Sequence, residues 1–225
     1  MTLLHPRLVP LVAAAALALT ACSTAGASPT LPPISPEPTS AAASHPPCPT
    51  SQPASLPADQ TRTVTIHTKL GDIVIKVEGK LAPIAAGNFV ALAACGYYDN
   101  VDFHRVVPNF VIQGGDGQYG REPNVDMSKI GSGGPGYTIQ DEQVTATYGR
   151  GTVAMARSSA PNSQGSQFFI VQSDAARPAL QSYDTYAIFG NVTEGMGVVD
   201  MIVGSADQEI PTHPIVIQSV SVANP

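Results

Sequence analysis

Phe103-His104-Arg105-Val106-Val107-Pro108-Asn109-Phe110-Val111-Ile112-Gln113-Gly114-Gly115-Asp116 decides the reading of this chain, together with Ser163-Gln164-Gly165-Ser166-Gln167-Phe168-Phe169-Ile170. Both stretches mix strand-forming apolar residues with a few polar groups that a buried surface would not select. Arg105, Gln113 and Gln167 are those polar groups. Phe110, Phe169 and the nearby Leu180 can wall an apolar pocket beside them.

Working outward, Val64 and Ile66 alternate with polar residues, Lys69-Leu70-Gly71-Asp72 turns the chain, and Ile73, Ile75 and Val77 alternate again. That pattern predicts a hairpin. Pro83 suits the first turn of a following helix, Ala86, Phe89, Val90, Ala93 and Ala94 mark one face, and Gly96 stops it. Further strands are expected at Asp102–Val106, Phe110–Gln113, Gly151–Met155, Gln167–Val171, Ala187–Val192 and Ile215–Val222, with a short helix near Met196–Ile202. Periodicity thus gives a mainly β domain with two helices, sandwich or barrel.

The bulk numbers narrow the function classes. Net charge is -6 and only 12% of residues are charged, which excludes nucleic acid as a partner, because phosphate binding needs clustered Lys and Arg. The 43% hydrophobic content fills one core. His5, His45, His67, His104 and His213 show no ligand spacing, so no metal is expected. Gly115-x-Gly117-x-x-Gly120 matches a dinucleotide fingerprint in form. That motif needs a helix opening at the glycines, and Arg121-Glu122-Pro123-Asn124 does not open one, so a Gly-rich surface loop is the better reading.

Five segments in order resemble the cyclophilin family of peptidyl-prolyl isomerases. They are F-H-R-V-V-P-x-F-V-I-Q-G-G-D from Phe103, G-S-G-G-P-G-Y-T-I-x-D-E from Gly131, G-x-V-A-M-A-R from Gly151, P-N-S-x-G-S-Q-F-F-I from Pro161 and Y-A-I-F-G-x-V from Tyr186. The resemblance covers about residues 62–223. It implies a closed eight-stranded antiparallel barrel capped by two α-helices, one at each end. It also implies acceleration of X–Pro bond isomerisation in folding proteins. Arg105 falls on the family's catalytic arginine, with Gln113 and Phe110 beside it in the catalytic set. Val111, Gln167, Phe169 and Leu180 fall on the substrate pocket, and Ala156 and Arg157 on the strand edge that hydrogen-bonds the substrate backbone. Tyr186 stands where many members have His, and Val111 where Met is frequent. His104 is expected to support the site rather than transfer protons. Gln118 to about Ile130 looks like an insertion.

The chemistry implied is simple. Twisting an X–Pro amide against its barrier of roughly 18–20 kcal/mol localises a lone pair on the prolyl nitrogen. A donor aimed there stabilises the twisted state more than the planar one. Arg105 offers a permanently charged, rigid fork for that role. No proton leaves, no cofactor is needed, and a monomer acting on proline-containing segments suffices. The alternative is a non-catalytic chaperone or scaffold of the same fold that only holds proline segments. The Arg105, Phe110, Gln113 and Phe169 set favours the enzyme.

The N-terminal part carries a different signal. Leu8 to Ala21 is an apolar run too short to span a bilayer well. It ends in Leu19-Thr20-Ala21-Cys22, which resembles a bacterial lipobox with Cys22 as the lipidated residue. An ordinary secretory peptide is the other reading. The expected organisation is a lipoprotein signal peptide over 1–21, a Pro/Ser/Ala-rich disordered linker over 22–61 and the domain over 62–223. The product would be extracytoplasmic and anchored to a bacterial membrane through its lipid. Lipidation of Cys22 leaves Cys48 and Cys95. An even remainder in an exported protein fits one bridge; two unrelated thiols fit as well, with Cys95 a small apolar helix residue.

Overall fold

The computed structural model describes residues 45–223. The expected signal segment 1–21, Cys22 and the first part of the expected linker lie outside the described residues. The elements are β1 (Thr61–Thr68), β2 (Gly71–Glu78), α1 (Pro83–Ala94), β3 (Val101–Asp102), β4 (Arg105–Val106), β5 (Val111–Gly114), β6 (Thr152–Met155) and β7 (Phe168–Val171). A 3-10 turn (Asp174–Ala176) then leads into α2 (Arg177–Tyr183), β8 (Ile188–Glu194), α3 (Met196–Ser205) and β9 (Val216–Ala223).

Nine strands form one curled antiparallel sheet in the order β3-β9-β1-β2-β8-β6-β7-β5-β4. The expectation of a closed eight-stranded barrel is corrected here. The single run expected over Asp102–Val106 breaks at Phe103 and His104. Its first half pairs with β9, Val101 opposite Ile217, and its second half pairs with β5, Arg105 opposite Gln113. One short piece of chain therefore supplies both edges of the sheet, which follow each other in sequence instead of pairing. The two expected helices also become three. The additional one is α2, which opens on Arg177-Pro178, with proline in the first turn where it is well tolerated.

The main core lies on one face of the sheet. Phe89 of α1 stands at its centre, with ring centroids 5.3 Å from Tyr98, 5.1 Å from Phe168 and 4.7 Å from Phe189. Packing of this kind contributes about 0.5–1.5 kcal/mol per aromatic pair beyond area burial. The face of α1 centres on Ala85, Ala86, Phe89, Leu92 and Ala93, so Val90 and Ala94 are only partly covered. No residue of its own caps α1. Instead both Glu142 oxygens accept the Ile84 and Ala85 N–H groups at 2.8 Å. A carboxylate there satisfies two orphan donors and complements the helix dipole.

The linker expectation also changes. Residues 45–60 lie against the domain. Leu56 is buried and its N–H donates to the Pro83 carbonyl, while Gln52 accepts from the Gln140 N–H. Two glycines make room for this strap. A Cβ at Gly87 would stand 2.2 Å from the Ala54 carbonyl oxygen, and one at Gly79 would stand 2.2 Å from that of Pro57. Cys48 is joined to Cys95 by a disulfide, which ties the strap to the end of α1.

Candidate active site

Register builds the site. Arg105 of β4 lies opposite Gln113 of β5, Gln113 opposite Phe169 of β7, and Phe169 opposite Ala154 of β6. Directly opposed residues share a face of a sheet, so these four form a row. Val111 lies on the same face, two positions from Gln113. The alternating partners Val106, Ile112, Phe168 and Ile170 enter the main core. On the site face Val111, Ala154, Phe169 and Val171 join Leu180 of α2, Ile188 and Tyr148 in a second apolar cluster. The β5 and β7 strands are thus covered on both faces, which is why they read as nearly continuous apolar runs.

A cavity of 230 Å³ opens above this row, lined by Arg105, Phe110, Val111, Gln113, Ala156, Arg157, Phe169, Leu180 and Tyr186. Pockets for drug-sized ligands begin near 300 Å³, so the size suits one small ring. Its floor is apolar, and the Arg105 guanidinium stands at its wall. The Arg105 Cζ is 6.0 Å from the centroid of the Phe110 ring. Arg105 Nε donates to Glu209 Oε1 at 2.6 Å, which leaves the two terminal NH2 groups to face a ligand. Tyr186 stacks edge-on against Phe169 at 5.3 Å, and its backbone is held at both ends by the Tyr148 hydroxyl. Burial pushes the Tyr148 hydroxyl up to about 12, so it stays protonated and keeps that double contact.

Two residues expected to bind substrate do not line this cavity. Gln167 lines the adjoining groove of 620 Å³ and acts on Gln113, whose Nε2 donates to Gln167 Oε1 at 3.0 Å. His104 is buried behind the row, and among the described residues neither ring nitrogen has a hydrogen-bond partner. Burial holds its pKa below the usual imidazole value, so it stays neutral and is no proton donor to the site. Arg157 lines the cavity with a guanidinium already committed, paired with Asp141 at 3.1 Å and donating to the Ala160 carbonyl at 2.7 Å. It offers a ligand its stem and backbone, while Arg105 remains the working cation. The Ala156 N–H is bonded to the Gln167 carbonyl, which leaves the Ala156 carbonyl and the Arg157 N–H for a ligand backbone.

Sequence reading missed the supports. Asp116 is buried and gathers four backbone N–H groups. Its Oδ1 accepts from Gln118 and Tyr119, and its Oδ2 from Gly131 and Gly133. Both ends of the loop 118–130 are therefore tied to one carboxylate. The Gly131 and Gly133 carbonyls in turn accept both contacts of Gln167 Nε2, at 2.9 and 2.8 Å. A chain of polar contacts thus runs from the loop through Gln167 to Gln113. A Cβ at Gly133 would stand 2.1 Å from Asp116 Oδ1, so the Gly-rich sequence itself was the available signal. Glu209 had none, since it lies in the loop between α3 and β9, far along the chain.

Comparison with known proteins agrees with this geometry. A profile of the family described as "Cyclophilin type peptidyl-prolyl cis-trans isomerase/CLD" matches residues 63–222. The chain is 39% identical over 171 residues to peptidyl-prolyl cis-trans isomerase B of Escherichia coli, covering 71% of this chain and 99% of that one. It is 38% identical over 154 residues to a probable peptidyl-prolyl cis-trans isomerase of Brucella abortus, covering 68% and 76%. Among solved structures, a cyclophilin type peptidyl-prolyl cis-trans isomerase of Cryptosporidium parvum superposes with a TM-score of 0.61 at 31% identity, covering 73% of this chain and 99% of that one. The same protein in the presence of the dipeptide Ala-Pro superposes with a TM-score of 0.61 at 32% identity.

Proposed function

We propose that this chain works on proteins outside the cytoplasm, and the premise is its family: it belongs to the cyclophilin-type peptidyl-prolyl cis-trans isomerases. Its activity is the interconversion of cis and trans X–Pro bonds. The observation that carries the assignment of roles is the Arg105–Gln113–Phe169 row beneath a cavity of 230 Å³.

The prolyl ring enters the apolar floor of Phe110, Val111, Phe169 and Leu180, with Tyr186 closing one side. The backbone before the proline pairs with the Ala156–Arg157 edge. The Arg105 terminal NH2 groups then face the prolyl nitrogen and carbonyl. As the bond twists, the nitrogen lone pair localises and Arg105 donates to it. Gln113, steadied by Gln167, orients the carbonyl. Nothing is transferred, so the protein supplies positioning and electrostatics alone.

The extracytoplasmic part rests on two supports. The sequence Leu19-Thr20-Ala21-Cys22 fits lipidation at Cys22, and a Cys48–Cys95 bridge suits a compartment where disulfides persist. In this reading the chain acts as a membrane-tethered monomer on proline-containing segments of exported proteins. Cell fractionation with an isomerase assay tests it. The activity should sediment with membranes in the wild type and move to the soluble or secreted fraction in Cys22→Ser. Activity that is soluble in both would refute the anchor. A purified wild type that accelerates no X–Pro exchange would point to a proline-segment chaperone or scaffold instead.

A further inference from the structure

We infer that Glu209 makes this isomerase select substrates with Lys or Arg immediately after the proline, a reading that rests on the isomerase function proposed above. Glu209 belongs to the loop between α3 and β9, and its placement beside the cavity is fixed at several points. The Val106 N–H donates to the Glu209 carbonyl at 2.8 Å, which ties its backbone to β4. Its side chain meets Arg105 Nε at 2.6 Å. The loop is closed on itself by the Thr212 N–H donating to Asp207 Oδ1 at 3.0 Å, and Pro211 is buried beneath it.

The direction of the substrate follows from the cavity. With the ring on the apolar floor, the preceding residues run along the Ala156–Arg157 edge. That edge also borders the larger groove lined by Gly131, Gly133, Ser163 and Gln167. The prolyl carbonyl points to Arg105, and the next residue continues from that carbonyl. It therefore leaves past Arg105, whose Nε carries Glu209. The other arginine of the cavity offers no competing charge there, because Arg157 is paired with Asp141.

Glu209 has capacity left for a ligand. Arg105 uses one of its oxygens, whereas a carboxylate accepts at about four lone-pair sites, and the side chain is 59% exposed. A cation on the residue after proline can share this carboxylate without breaking the Arg105 contact. An anion there meets repulsion. Each effect is that of an exposed ion pair, about two- to fivefold in affinity, so together they give a preference of about tenfold for Lys over Glu.

The test uses the oxidised protein and three peptides of the form Ala-Ala-Pro-X, with X as Lys, Gln or Glu. The specificity constant for cis/trans exchange is measured by line-shape or exchange NMR. The wild type should rank Lys over Gln over Glu, with about a tenfold span at low ionic strength that shrinks in 1 M salt. In Glu209→Gln the preference for Lys should be lost or inverted, because Arg105 is then an unpaired cation, and in Glu209→Lys the order should reverse. Ratios within one variant cancel any general loss of activity, so they separate selectivity from a purely positioning role for the ion pair. A wild type that turns over all three peptides equally, or a span unchanged in Glu209→Gln, overturns the inference and leaves the isomerase reading intact. No acceleration of any peptide by the wild type overturns both.

Discussion

At Asp102 a carboxyl group sits fully buried, with no hydrogen bond to either oxygen among the described residues. Burial, with the Glu122 carboxylate nearby, pushes its pKa up to about 7. From sequence it was only the first polar residue of a strand, since nothing local distinguishes a buried Asp from an exposed one. The consequence for stability has a definite sign. Between about pH 4 and about pH 7 the native state holds a proton that the unfolded state has lost. The stabilisation is complete below about pH 4 and is lost as pH rises through about 7. Asp102→Asn should therefore flatten this dependence, gaining on the order of 1–3 kcal/mol over the wild type at pH 8 and little at pH 5. His104 contributes in the opposite sense, because its lowered pKa costs stability as pH falls below the usual imidazole value. It is present in both proteins and cancels in the comparison. Urea denaturation at the two pH values decides the matter, and parallel curves for the two proteins would rule the assignment out.

At the scale of elements, the strands were readable because period-two alternation survives in β1 and β2, where Val64, Ile66, Ile73, Ile75 and Val77 all point into the core. The strap was not readable, because ten prolines between Pro29 and Pro57 argue for an open linker. Its docking depends on features far off in sequence: bare backbone at Gly79 and Gly87, the Pro83 carbonyl and Cys95. Nothing in the sequence marks the contacts of Asp141 and Glu142 either. In the fold Asp141 holds Arg157, Asn162 and Gln164, and Glu142 caps α1. The strap makes a measurable contribution. Cys48→Ser with Cys95→Ser should lower stability by about 2–4 kcal/mol, while peptide turnover persists, since no strap residue lines the cavity. A double variant as stable as the wild type in chemical denaturation would show that the bridge only decorates the domain.

For the whole molecule, one sheet serves two purposes. Its strands β5 and β7 send alternate residues into the main core and into the site, so a shift of register by one residue would exchange the two sets. All but Leu180 of Arg105, Phe110, Val111, Gln113, Ala156, Arg157, Phe169, Leu180 and Tyr186 lie in short ordered motifs, and the fold brings these nine together around one cavity. What no motif could give is how they are held. Asp116 and Gln167 lie inside those motifs, yet the motifs do not show that one ties down the loop 118–130 and the other steadies Gln113, and Glu209 reaches the row from a loop far along the chain. Arg105 is the residue on which the proposed catalysis depends. Its side chain is 34% exposed and engaged in a surface ion pair, so removing it should leave the fold nearly as stable. The decisive measurement is cis/trans exchange of an Ala-Pro peptide by the wild type, Arg105→Ala and Arg105→Lys, with their denaturation curves beside it. Arg105→Ala should lose at least about a hundredfold in catalytic efficiency, or ~2.7 kcal/mol. Arg105→Lys should recover little of that loss, because an ammonium lacks the fork that holds Glu209 and faces the prolyl amide together. A folded Arg105→Ala protein that keeps most of its activity would contradict the account.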